Sequence, residues 1–208
     1  KINFYNSSVP GYQIKNHTDN LEKIKNFKQI KQLIYFYTLN DIYDSTNIQE
    51  RIDQEYRNSP KFFNKRIFGK INSYLISKSY LYLYIKGIAS DPSKRWFVAL
   101  NNFYTKKDIS FVKEEFKKLK NFSIAHKSNL TIIILPYEYQ TRDCENEKFL
   151  PQKKIIDSLK DVEIKFIDYT KYFCDNKNNE NFLKFDPMHL SNAGHNMVYN
   201  LLLDEKIF

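Results

Sequence analysis

Three short strand-like runs constrain this chain more than any other feature of its sequence. Leu33 to Tyr37 is almost continuously apolar, Leu130 to Leu135 is the clearest strand-like run, and Val162 to Ile167 reads as another strand. The first of these fits a parallel strand covered on both sides. The intervening stretches have helical spacing. Val112, Phe116, Leu119 and Phe122 recur at intervals of four and three, which is one stripe of a helix. Pro151 to Leu159 reads as a helix with proline in its first turn. Ser191 opens a terminal helix with Ala193, Met197, Val198, Leu201 and Leu202 facing inward. Nearer the start, Ile2 to Asn6 reads as a short strand ending at the turn cluster Ser7-Ser8-Val9-Pro10-Gly11. Thr18 or Asp19 caps an expected helix carrying Leu21, Ile24 and Phe27 on one face. Strands separated by helices predict an α/β fold, with a parallel sheet layered between helices. In such sheets the chemistry gathers at the carboxyl ends of the strands, where the loops converge.

Residues 44 to about 108 break this alternation. Ile48 to Tyr56 and Phe62 to Ala89 read as helical, and the region is expected to be a tyrosine-rich insertion or cap near the site. Length allows one domain, and 42% hydrophobic against 27% charged residues is a globular composition. The four glycines lie too far apart for a dinucleotide or phosphate loop, or for a Gly-x-Ser-x-Gly elbow. Two cysteines, Cys144 and Cys174, exclude a multi-thiolate zinc site, and they would pair only in an oxidising compartment. The net charge of +9 favours anionic partners in principle. The lysines are interspersed with Asp and Glu, as in Lys113-Glu114-Glu115-Phe116-Lys117-Lys118, so no nucleic acid is expected.

The sharpest chemical signal is Phe185-Asp186-Pro187-Met188-His189-Leu190-Ser191-Asn192-Ala193-Gly194-His195. A carboxylate three residues before a histidine, just ahead of a helix, can orient the imidazole and stabilise its charged form. The imidazole can then act as general base toward a hydroxyl. This stretch resembles the last sequence block of the SGNH, or GDSL-type, hydrolase superfamily. The resemblance extends along the chain outside the insertion. Tyr37-Thr38-Leu39-Asn40-Asp41 is similar to the family's Gly-x-Asn-Asp block, with Thr38 where glycine is usual, and Asn6 to Tyr12 is similar to its second block. The resemblance implies a three-layer α/β/α sandwich with a parallel, flavodoxin-like sheet over residues 1–208. It implies Asp186 and His189 as triad members, with Gly11 (backbone N–H) and Asn40 (side chain) as oxyanion donors.

The family's Gly-Asp-Ser block occurs nowhere in the 208 residues, so no nucleophile is assigned; Ser7 and Ser8 lie in the loop that carries the glycine. The expectation is that the chain is N-terminally truncated and the serine lies upstream of Lys1. The leading function is a serine esterase that cleaves a carboxylic ester through an acyl-enzyme. The alternatives are an O-acyltransferase or deacetylase acting on a cell-envelope glycan, and a non-catalytic binding module that has lost its serine. Substrates would be a small ester or an acylated glycan, with no metal or cofactor; membrane association stays open, and localisation leans only toward a bacterial cell envelope. Tyr137, Gln140 and Arg142, at the carboxyl end of the Leu130–Leu135 run, are candidates for the substrate pocket. Asp41 reads as a loop-holding residue, His195 as packing or capping, and His17 and His126 as surface residues.

Overall fold

The computed structural model describes residues 3–27, 29–43, 65–176 and 180–207. Three strands, β1 (Gln32–Tyr37), β2 (Asn129–Ile134) and β3 (Phe166–Asp168), form a parallel sheet in the order β1-β2-β3. Tyr37 lies opposite Ile134, and Ile134 opposite Asp168, so the three strands end level with one another. Past those ends the loops are laced together by backbone bonds, from Leu135 N to Tyr37 O and from Tyr169 N to Ile134 O, each 3.0 Å.

The helices follow in chain order. Two short ones, α1 (Ile14–Asp19) and α2 (Leu21–Ile24), precede β1. Then come α3 (Lys65–Lys78), α4 (Tyr80–Ser90), α5 (Pro92–Lys106) and α6 (Ser110–Ala125). After β2 lie α7 (Glu138–Thr141) and α8 (Leu150–Asp161), and after β3 lie α9 (Thr170–Asp175) and α10 (Asn192–Asp204). The period-two alternation of β2 decides how they pack. Ile132 and Ile134 join Tyr37 and residues of α5, α6 and α8 in one buried cluster, whereas Ile133 joins Tyr169, Phe173, Val198 and Leu202 in a second. Helices therefore cover β2 from both faces.

Several boundaries differ from the sequence reading, for local reasons. Residues 3–9 form no strand; Phe4 and Tyr5 are exposed, and Asn6 Oδ1 instead accepts from Ser8 N and Ser8 Oγ in an Asx turn. The first helix starts at Ile14, ahead of the expected Thr18 or Asp19 cap. Thr18 is buried within it, its hydroxyl donating to Glu115. β1 pairs with β2 alone among the described residues, and Phe36 is 39% exposed, so double-sided burial holds for β2 but not for β1. The third strand begins only at Phe166, because Val162 and Glu163 form the turn that ends α8. The helix expected over 48–56 lies outside the described residues. Phe62 to Ala89 resolves, from Lys65 onward, into α3 and α4 with a break at Ser79. The following helix, α5, belongs to the core. Phe97, Leu100, Phe103 and Tyr104 are buried with the sheet; Tyr104 Oη donates to Leu39 O (3.0 Å), so Tyr37 Oη donates to Tyr104 Oη (2.8 Å).

Cys144 and Cys174 form a disulfide across 30 residues, joining the loop after α7 to α9. Closing a loop of that length removes denatured-state entropy worth roughly 3–4 kcal/mol in the chain-entropy picture. Replacing both cysteines by serine is expected to lower the unfolding free energy in urea by about that amount, with little change in the far-ultraviolet circular dichroism of the folded protein.

Candidate active site

The segment from Asn181 to Ser191 is a closed loop whose two arms are held by the antiparallel bridge between Phe182 and Leu190. Backbone bonds from Leu183 N to His189 O (2.9 Å) and from Ser191 N to Asn181 O (3.0 Å) complete the closure. Ser191 then caps α10, its Oγ accepting from Gly194 N at 3.3 Å. Gly194 is required sterically: a Cβ there would sit 2.1 Å from Asn181 O. Asp186 and His189 occupy the tip of this loop. Asp186 Oδ1 accepts from Met188 N (3.0 Å) and His189 N (2.8 Å), and Oδ2 faces His189 Nδ1 at 2.8 Å. Burial works to raise the Asp186 pKa, but the two backbone donors and the histidine together hold it below the ordinary carboxylate value. An ionised acceptor on Nδ1 requires Nδ1 to carry the proton, which leaves Nε2 as the free acceptor. The His189 side chain is 67% exposed, and Nε2 has no partner among the described residues.

Neighbouring elements fix the loop from three sides. Glu138 N donates to Pro187 O (2.9 Å), tying the loop to the start of α7. Ser93 Oγ, in the first turn of α5, donates to Asp186 O (3.3 Å). Phe185, in the left-handed region at φ +63°, packs its ring edge-on to Tyr84 and against Gly87 of α4, where a Cβ would come within 3.0 Å of the ring. A left-handed non-glycine residue is strained, and the packing of its ring holds it there. Between these elements lies a cavity of about 410 Å³, lined in part by Ile88, Ser93, Glu138, Arg142, Phe185 and Asp186. His189 is not part of its wall.

The three proposed pocket residues separate. Arg142 lines the cavity, but its guanidinium is held by Asp91 (2.7 and 2.9 Å) and Glu138 (2.8 Å), so it joins α5 to α7. Gln140 is fully buried and its amide is bonded to Tyr137 N, Lys148 O and Gln152, while Tyr137 is buried with its hydroxyl toward Met188 Sδ. Neither lines the cavity; Tyr137 reaches the loop at Met188, and Gln140 ties the start of α7 to Lys148 and Gln152.

Gly11 and Asn40 lie on turns of their own. Val9-Pro10-Gly11-Tyr12 is closed by Tyr12 N to Val9 O (3.2 Å), and Gly11 adopts φ +82°, a type II turn that only glycine enters without strain. Gly11 N is not engaged among the described residues. Asn40 follows β1 directly. Its Oδ1 accepts from Thr38 Oγ (2.8 Å), the residue standing in place of the expected glycine, and its amide N–H₂ has no acceptor among the described residues. Rings couple the two turns: Tyr12 meets His17, and His17 meets Tyr35, with centroids 5.6 and 5.5 Å apart. Tyr35 Oη in turn donates to Asp41 (2.7 Å). Among the described residues, no hydrogen bond, ion pair or ring contact joins either turn to the Asp186–His189 pair. His17 is thus half-buried, not superficial, and burial lowers its pKa. The ring nitrogens of His126 lie 2.9 Å from Phe122 O and from Lys25 O, and His195 is exposed on α10 instead of packed.

Ser93, Phe185, Gly87 and Glu138 were not singled out from the sequence. Only Asp91-Pro92-Ser93 carried a signal, that of a helix start with proline in the first turn. Compared with protein families, with curated proteins and with solved structures, the chain matches none.

Asp41 generates a pH prediction. Burial raises its pKa from 3.8 to about 7, against the bonds from Tyr35 and Thr38 that favour the ionised form. Because the folded value lies above the unfolded one, the native state holds a proton that the unfolded chain has released between these values. The contribution of Asp41 to stability is therefore full below about pH 4 and declines as pH rises toward 7. A rise of that size is on the order of 4 kcal/mol. Asp41→Asn is expected to abolish this component, flattening the urea midpoint between pH 4 and 7 relative to wild type.

Proposed function

We propose that this chain carries the acid–base half and the oxyanion donors of a serine-type carboxylic ester hydrolase resembling the SGNH superfamily. In this reading the sheet belongs to a flavodoxin-like three-layer sandwich, as the burial of β2 beneath helices on both faces supports. The observation that carries it is the Asp186–His189 couple: one carboxylate oxygen clamped by two backbone donors, the other on Nδ1, and Nε2 unengaged.

The chemistry follows. Nε2 takes the proton of a serine hydroxyl while its oxygen attacks the ester carbonyl, and Asp186 stabilises the imidazolium that results. Gly11 N–H and the Asn40 amide donate to the developing oxyanion; one such donor is typically worth about 3 kcal/mol of transition-state stabilisation. The imidazolium returns its proton to the departing alkoxide, and water, activated by the same Nε2, then cleaves the acyl-enzyme. No Gly-Asp-Ser turn occurs in the 208 residues, so the reading takes the nucleophile from a segment outside them. Ser8 is committed to Asn6, and Ser93 donates to Asp186 O. Apolar wall residues, among them Ile88, Phe182 and Phe185, support an acyl or apolar ester group in the adjoining cavity. The Cys144–Cys174 bond supports an oxidising compartment.

The full-length gene product is expected to hydrolyse p-nitrophenyl acetate. His189→Ala lowers kcat/KM roughly a thousandfold or more, Asp186→Asn does the same, and His195→Ala leaves it unchanged. A fully active His189→Ala enzyme, or a full-length protein that cleaves no ester, contradicts the reading.

A further inference from the structure

Helix α4 is apolar around its whole circumference, with one charged residue, Lys86, in eleven. A helix of that composition is ordinarily buried, yet here Tyr80 is 91%, Leu81 67% and Ile88 59% exposed. Tyr80, Tyr84 and Ile88 recur every fourth residue along one side. The apolar surface continues onto the site loop through Leu183 and Phe185, both exposed. On α3, Lys70, Tyr74 and Lys78 recur at the same interval and all three are exposed. Lys184 Nζ stands 5.4 Å from the centre of the Tyr84 ring and 5.2 Å from that of Phe185.

The charge along α3 and α4 has one sign. From Lys65 to Ser90 the sequence has five cations (Lys65, Arg66, Lys70, Lys78 and Lys86) and no carboxylate. A second copy seated face to face would set the exposed Lys70 and Lys78 against their own counterparts. An anionic bilayer offers what both features require: headgroup phosphates for the lysines, and an apolar boundary for the Tyr, Leu and Ile side chains. Among the described residues no helix is long and apolar enough to cross a membrane, and α4 at eleven residues fits a helix lying in the interface. We propose that the α3–α4 face rests on an anionic lipid surface. That placement sets the cavity against the headgroup boundary, because Gly87, Ile88, Leu183, Lys184 and Phe185 belong both to the cavity wall and to this surface. It does not rest on the esterase reading: a protein that binds vesicles but cleaves no ester keeps the one and loses the other.

The test is flotation of the full chain with vesicles of phosphatidylglycerol and phosphatidylcholine, set against vesicles of phosphatidylcholine alone. Flotation is expected with the anionic vesicles only, weakening as salt is added. Leu81→Glu combined with Ile85→Glu abolishes it, and Lys70→Gln and Lys78→Gln each reduce partitioning about fivefold. All four positions are exposed, and thermal melts of the variants confirm that they remain folded. Absence of flotation, equal flotation with neutral vesicles, or binding unchanged in the variants overturns the proposal. So does a concentration-dependent dimer in light scattering that Leu81→Glu dissolves, which would give the face to a second copy.

Discussion

The carboxylate of Asp186 is the interaction on which the rest of the site depends. Its two oxygens accept three hydrogen bonds: two from the backbone N–H groups of Met188 and His189, and one from the His189 ring. The backbone pair fixes the loop conformation, and the ring bond fixes which nitrogen of His189 is free. Removing the carboxylate would leave two N–H groups without their acceptor and would release the imidazole at the same time. Structure and chemistry are therefore joined in one side chain, which explains why the neighbouring elements converge on it.

That convergence comes from parts of the chain far apart in sequence. The Phe182–Leu190 bridge closes the loop from below, and the glycine at 194 lets α10 approach the Asn181 carbonyl. Glu138 at the start of α7 and Ser93 at the start of α5 each hold a loop carbonyl, and Arg142 joins their two helices through Glu138 and Asp91. The disulfide at Cys144 secures the α7 side of this frame to α9. The Phe185 ring, packed against Tyr84 and Gly87 of α4, adds the last contact, so the helix that presents the exposed apolar face also sets one wall of the cavity.

Much of this was legible in the residues, and the parts that were not have a common cause. The β2 run declared itself because Ile132, Ile133 and Ile134 must all be buried, and Ser191 because its hydroxyl caps a helix. The Asp186-x-x-His189 spacing brought the pair together through a loop of purely local bonds. Gln140 was misread because its amide faces inward to Gln152, a contact set by how α7 and α8 pack. The half-burial of His17 depends on Tyr12 and Tyr35 meeting across a turn and a strand. The edge position of β1 is likewise a property of the sheet and not of its own apolar run. What local chemistry fixes could be read from the chain, whereas contacts between elements could not. Asn40 falls between the two: its turn was recognised, but the bond that Thr38 makes to its side chain required the structure.

The central claim is that Asp186 holds His189 with the proton on Nδ1 and Nε2 unengaged. Nitrogen-15 correlation spectra of the histidine rings measure this directly, because a protonated and an unprotonated ring nitrogen resonate far apart. The account predicts that the uncharged ring of wild-type His189 carries its proton on Nδ1, and that Asp186→Asn loses this preference. A wild-type His189 protonated on Nε2 and bare on Nδ1 would contradict it.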